Sequence, residues 1–166
     1  MLLLRSLLLF IACMSLPALS LAQGAFAFGT VRADPLLPVE VTADTLSVNQ
    51  SNGSADFLGN VLIIQGAMRL SADTVHVVYK VDDTNQQTGI ESLQAKGNVI
   101  LVNGPDAAEA QQANYSIDTG TIVLNGDVLL TQGASTLTSN QLVVNLTSGT
   151  AEMSGRVKTI LVPGKN

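Results

Sequence analysis

Few residues in this chain can do acid–base, nucleophilic or metal chemistry, and they are not arranged for it. The 166 residues include one histidine, His76, and one cysteine, Cys13. His76 stands between Val75 and Val77 in an alternating run, which reads as a strand position facing solvent. A metal site or a general base needs partner groups that the sequence does not provide. Asp82-Asp83 lies in a Thr/Asn/Gln-rich stretch without the spaced acids and glycine of a calcium loop, so it reads as turn solvation. Asp44, Asp73, Asn114 and Asn140 recur at equivalent places in a repeat, which points to turn capping rather than to one reactive centre. The glycines are spaced by hairpins, and none forms a phosphate-cradling loop. Asn-x-Ser/Thr triplets such as Asn52-Gly53-Ser54 arise readily in turn-rich sequence. The expectation is a protein that is not an enzyme and holds no cofactor and no metal.

The elements around these residues are repeats. Gly59-Asn60-Val61, Gly97-Asn98-Val99, Gly126-Asp127-Val128 and Gly155-Arg156-Val157 end four copies of one cassette. Their glycines are 38, 29 and 29 residues apart. Each tail leads into an apolar, β-prone run, for example Val99-Ile100-Leu101-Val102. Ahead of each tail a small residue and an Asp or Asn open an alternating stretch: Ala43-Asp44, Ala72-Asp73, Ala113-Asn114 and Ser139-Asn140. Between the halves stand Asn52-Gly53, Thr88-Gly89, Thr119-Gly120 and Ser148-Gly149. One unit reads as strand, Gly turn, short strand, Gly-Asn turn and strand, because Gly and Asn tolerate the positive φ of tight hairpins. Such units stack. Period-two alternation runs from Val39 onward and predicts a dozen or more short strands with no helix. Asp106–Gln112 is helix-prone by composition and is expected to be a strand or turn imposed by its neighbours. Val81–Thr88 reads as an exposed polar insertion that lengthens the first gap.

The chain opens like a secretory signal: Arg5, then an apolar run from Leu7 to Leu19, then Ser20-Leu21-Ala22 before Gln23. Ala25-Phe26-Ala27 is a second cleavage candidate. The run is shorter than the roughly 20 residues of a spanning helix. The expected organisation is a cleaved signal at 1–22, a flexible leader at 23–37 and one β-domain at 38–166. Removal of the signal takes Cys13 with it, so an exported chain must be stable without disulfides. About 140 residues bury about two thirds of their unfolded surface, enough for one domain. Thirteen Asp and Glu against eight Lys and Arg make a poor nucleic-acid binder, because phosphate neutralisation needs clustered positive charge.

Stacked hairpins have two physical consequences. Their inward side chains align into an apolar trough. The candidate lining is Val39, Val41, Leu46, Val48, Phe57, Val61, Ile63, Met68, Leu70, Val75, Val77, Val99, Leu101, Leu124, Val128, Leu130, Leu142 and Val144, with Met153 as a pliable filler. An open trough suits an acyl chain, since about twelve methylenes in water cost roughly 10 kcal/mol. A closed, filled core explains the same alternation. The stack also ends in two edge strands, which invite pairing with another chain. Asp34, Glu40 and Asp44 lie near the first, and Arg156, Lys158 and Lys165 near the last. Opposite charge at opposite ends favours head-to-tail contacts, which propagate when they do not close.

The Ala-Asp-x-Leu/Val strand starts, the Gly-Asn-Val-x-Ile/Leu returns and the closing Arg156-Val157-Lys158-Thr159-Ile160-Leu161-Val162-Pro163 resemble the OstA-like family of periplasmic lipopolysaccharide-transport proteins. The resemblance spans Val39 to Pro163. It implies an open, V-shaped antiparallel β-jellyroll whose apolar groove takes the acyl chains of lipid A. It implies periplasmic copies joined end to end between an LptC-like inner-membrane protein and an LptD-like outer-membrane protein. By position, Val39 and Val41 match the first-strand residues at the groove entrance. Val39, Glu40 and Val41 at one end and Val157, Lys158, Thr159, Ile160, Leu161 and Val162 at the other match the strands that join successive copies. The family's power stroke comes from a separate ATPase, in keeping with the lack of a nucleotide motif. The chain has few groove aromatics and only Arg69 and Lys80 as basic residues near the mouth. A non-catalytic β-solenoid module of a secreted or surface protein is the competing reading.

Overall fold

Alternation and glycine placement produce one folded sheet. In the computed structural model, residues 26–29, 34, 36–49, 54–84 and 86–160 are described. The expected signal segment with Cys13, the turn expected at Asn52-Gly53, and Leu161, Val162 and the residues beyond them lie outside the described residues. Among the described residues there are eleven strands: β1 (Phe26–Ala27), β2 (Glu40–Thr42), β3 (Thr45–Asn49), β4 (Ser54–Gln65), β5 (Met68–Val81), β6 (Gln87–Asn103), β7 (Asp106–Ser116), β8 (Thr121–Gln132), β9 (Ser135–Asn145), β10 (Thr150–Ser154) and β11 (Lys158–Ile160). Every pairing is antiparallel. The order β1-β10-β9-β8-β7-β6-β5-β4-β2 is a meander in which β3 also pairs with β4 and β11 with β9. The repeats therefore join side by side through ladder hydrogen bonds, not as the coils of a solenoid. Asp106–Gln112 lies in a strand despite its composition, held between β6 and β8.

The strands are fewer and longer than expected because the Gly-Asn pairs are bulges rather than hairpin turns. The register shifts between Leu58 and Val61, Lys96 and Val99, and Asn125 and Val128, while each chain continues in the same direction. Both residues of each pair are left-handed: φ is 79° and 46° at Gly59-Asn60, 78° and 46° at Gly97-Asn98, and 85° and 46° at Gly126-Asp127. Glycine takes this region freely, and Asn and Asp take it more readily than other side chains. Arg156, at 50°, follows Gly155 at 76° and carries the same step without an Asx residue. Two residues on one strand oppose one on the next, which bends the strand and increases its twist.

The bulges align across the sheet into a single corner, and the recurring polar residues hold it. The Asp44 carboxylate accepts from the Asn60 amide at 2.8 Å, and the Asp73 carboxylate accepts from Asn98 at 2.9 Å. Gln111 donates to the Asp127 carboxylate at 2.7 Å. The backbone N–H groups of Asp44 and Asn140 donate to the carbonyls of Gly59 and Gly155. Asp44 and Asp73 thus hold a bulge through their side chains rather than cap a turn, and Asn140 joins the corner through its backbone N–H. Asn114 does not: it is exposed in mid-strand opposite Gln94 and Val123, and Gln111 takes the corner position in β7.

The tight hairpins lie elsewhere. Gly66-Ala67, Gly104-Pro105 and Gly133-Ala134 close β4–β5, β6–β7 and β8–β9, with glycine φ of 58°, 63° and 57°. A positive φ at the first central residue is the glycine position of a two-residue II′ turn. On the other arm, turns fall at 117–120 and 146–149, matching Thr119-Gly120 and Ser148-Gly149. Thr88-Gly89 is inside β6, and the turn expected there lies at 82–86. Asp82 organises that turn. Its carboxyl is held below the usual carboxylate range, first by the Thr84 hydroxyl and then by the Gln86 and Thr84 N–H groups.

A single flat sheet leaves at least one face wet. Here the inward rows on both sides of the corner are buried, so the two arms close on each other. One arm contributes Val61, Ile63, Met68, Leu70, Val99, Leu101, Ala108, Val128 and Leu130. The other contributes Val75, Val77, Leu93, Tyr115, Ile122, Leu124, Leu142 and Val144.

Candidate functional site: an apolar seam between two arms

The seam between the arms holds most of the residues expected to line a trough. Val61, Ile63, Met68, Leu70, Val75, Val77, Val99, Leu101, Leu124, Val128, Leu130, Leu142 and Val144 are fully buried there. Strand alternation puts them there: Leu70 pairs with Leu101, Leu101 with Ala108, and Leu124 with Leu142, and directly opposed residues share a face. Phe57, Val39, Val41 and Met153 are partly buried against the same cluster. The seam is thus lined along most of its length by buried side chains of both arms.

The exceptions are at the β2/β3 end. Leu46 and Val48 pair with Phe57 and Ala55 and continue the inner face, yet they are 54% and 60% exposed. Among the described residues no opposing strand covers them. The sheet here ends in β2 on one arm and β3 on the other, leaving an apolar ledge at the first edge. At the far end β11 is the outer strand of one arm, and β1 lies outside β10 on the other.

Polar groups clasp the arms at their tips. The Tyr115 hydroxyl donates to the side-chain oxygen of Gln65, joining residues 50 apart across the mouth. Gln65 also donates to the Leu37 carbonyl at 2.9 Å. Burial raises the Tyr115 pKa from 10.0 to about 12. The unfolded phenol ionises near 10 and the folded one near 12, so the folded state holds the proton between those values. Stability from this group is complete below pH 10 and is lost as pH rises to 12, by about 3 kcal/mol at about 1.4 kcal/mol per pKa unit. Urea titrations at pH 9 and pH 11 should show that decline, and Tyr115→Phe should flatten it. An equal decline in both proteins would assign it to other groups.

Within the expected leader at 23–37, Phe26–Gly29 add a second clasp. Phe26 and Ala27 pair with Ala151 and Thr150, and the Phe28 N–H donates to the Gly149 carbonyl. Phe28 is buried in the core, 1% exposed. The Gly29 N–H donates to the Asp106 carboxylate at 2.7 Å, and the Gln132 amide reaches both the Ala27 carbonyl and that carboxylate at 2.9 Å. A Cβ at Gly29 would lie 2.2 Å from the Asn103 amide, so only glycine fits this crossing.

The remaining chemistry-bearing residues are dispersed over the sheet. His76 is half-buried, with Nδ1 2.6 Å from Asp56 on the adjoining strand. Lys80 pairs with Asp118 at 2.5 Å, while Arg69 is exposed. Glu40, Val157, Lys158, Thr159 and Ile160 are exposed at the two edges. Asp44 is exposed at the corner, where its carboxylate accepts from the Asn60 amide. Among the described residues no cluster of His, Cys, Asp or Glu could hold a metal, and no helix is long and apolar enough to cross a membrane.

A kinked antiparallel meander with an apolar seam between its two arms defines an open β-jellyroll. Residues 40–150 match the family model described as LptA/(LptD N-terminal domain) LPS transport protein, and the chain belongs to that family. The crystal structure of LptH, the LptA-homologous periplasmic component of the lipopolysaccharide transport device of Pseudomonas aeruginosa, shares the fold. The TM-score is 0.67 at 19% identity, over 79% of this chain and 99% of LptH. A curated relative, the uncharacterized protein R00383 of Rhizobium meliloti (strain 1021), is 29% identical over 92 residues. The match covers 54% of this chain, and the chain spans about half the length of that relative.

Proposed function

We infer that this protein is a non-catalytic periplasmic carrier that shelters the lipid A acyl chains of lipopolysaccharide in the seam between its arms. Copies dock end to end and link an LptC-like inner-membrane protein to an LptD-like outer-membrane protein. The observation that carries this reading is the apolar seam running between the two ends of the sheet, with Leu46 and Val48 exposed on its inner face at the first end. Acyl chains enter when the arms part. The exchange replaces side-chain contacts with acyl contacts of similar apolar character, so its main cost is opening the polar clasps rather than exposing apolar surface to water. The transport family of the chain and the periplasmic setting of LptH support the same reading.

A photo-crosslinking residue at Val41 or Leu70 should give lipopolysaccharide adducts in cells, and one at the outward-facing Ile100 should not. Absence of adducts from both inner positions would refute the carrier reading. Docking has its own test. Lys158→Glu should weaken self-association several-fold at low salt, and adding Glu40→Lys should partly restore it. Sedimentation velocity over a concentration series measures both, and unchanged association would remove the end-charge argument.

A further inference from the structure

At the far end of the sheet the two arms finish differently. One ends in the outer strand β11, but the other ends in β10 already partnered by β1. Among the described residues β1 covers Ala151 and Thr150 of the β10 edge. The neighbouring Phe28 is buried in the core, between the Gly149 carbonyl on one arm and the Gly29–Asp106 contact on the other. At the opposite end, β2 and β3 present edges of their own, and Leu46 and Val48 extend the inner face. Successive copies in register would set β2 of one against β11 of the other, and β3 against β10. The second of those contacts is occupied by the chain's own first segment.

We propose that Phe26–Gly29 is an intramolecular cap on the outgoing end of the jellyroll. It occupies the β10 edge that the β3 strand of a second copy needs, and Phe28 plugs the seam through which an acyl chain would leave. This rests on the end-to-end carrier reading above. The cap is built to be displaced. Among the described residues its ladder is Phe26 and Ala27, with one further backbone bond from Phe28 to Gly149, whereas β3 offers five residues and two apolar side chains to the same edge. An exposed strand edge is a standing invitation to association, and a short strand laid over it is a known way of suppressing that. Asp106, Gln132 and Gly29 hold the far end of the segment and set how readily it lifts.

A reversible lock tests the proposal in the secreted chain. Ala27 and Thr150 are directly paired, so Ala27→Cys with Thr150→Cys should form a disulfide, with no other cysteine downstream of Cys13 to compete. The oxidised protein should self-associate at least ten-fold more weakly than wild type in sedimentation velocity, and reduction should restore wild-type behaviour. Phe28→Ala should act oppositely, raising association at least ten-fold while retaining the strand circular dichroism. It should also speed uptake of purified rough-type lipopolysaccharide. Equal association of oxidised, reduced and Phe28→Ala proteins, in a wild type that does assemble and take up lipopolysaccharide, would overturn the cap and leave the carrier reading intact. Failure of every form to assemble or to take up lipopolysaccharide would overturn both. An intact mass showing that the secreted chain starts at Phe28 would also overturn the cap, since β1 would be gone.

Discussion

Gly97→Val is expected to destabilise the fold by about 3–5 kcal/mol, a large share of the 5–15 kcal/mol that holds a typical domain together. Gly97 has φ 78°, a region that β-branched residues strongly avoid. A Cβ there would also lie 2.3 Å from the Asp73 carboxylate and 3.1 Å from the Asp73 Cβ, so the aspartate must swing away. That movement breaks its hydrogen bonds to Asn98 and loosens the corner between β5 and β6. Gly89→Ala is the control. A Cβ at Gly89 meets nothing within 4 Å, and alanine in a strand gains from a less flexible unfolded chain. It should be neutral or raise stability by up to about 1 kcal/mol. Urea denaturation of both variants decides the matter, and equal effects would show that the corner geometry carries no special energy.

Leu101→Ala is expected to cost about 2–5 kcal/mol, while Ile100→Ala costs under about 1 kcal/mol. The residues are adjacent in β6 and similar in volume. Leu101 is fully buried between Leu70 and Ala108, whereas Ile100 is exposed on the outer face. The Leu101 loss combines lost transfer energy with a cavity in a row that cannot collapse, because ladder hydrogen bonds fix both arms. Matched midpoints for the two variants would mean that the seam is loosely packed. A Leu101→Ala protein that binds lipopolysaccharide more readily while being less stable would further indicate that guest and side chains compete for one space.

The alternation of Val75 with Val77 and of Leu142 with Val144 was legible from residue type alone, because strand geometry leaves no other way to segregate those side chains. The corner was misread for a definite reason. Two left-handed residues, Gly then Asn, suit a tight hairpin and a bulge equally well, and only the opposing strand distinguishes them. The signal for a bulge was Asp44 or Asp73 on the neighbouring strand, poised to accept from Asn60 or Asn98. The true hairpins carried a weaker mark, a lone glycine before Ala67, Pro105 or Ala134. In β7 the polar corner residue is Gln111 because β7 pairs with the bulge of β8, a register that the Ala113-Asn114 dipeptide obscured. The Tyr115–Gln65 clasp joins groups 50 residues apart and leaves no local trace. Phe26–Gly29 shows no period because only two of its residues enter a ladder, and the burial of Phe28 comes entirely from distant strands.

The meander has a consequence for how such proteins can change length. Each strand bonds only to its neighbours in the ladder, and each 29-residue step from Gly97 to Gly126 to Gly155 carries its own bend. Duplicating one step would insert two strands and widen the sheet by about 10 Å at about 4.8 Å per strand, with the cross-section unchanged. Evolution can therefore adjust the reach of this architecture in whole increments, as a carpenter adds planks to a boardwalk, without redesigning either end.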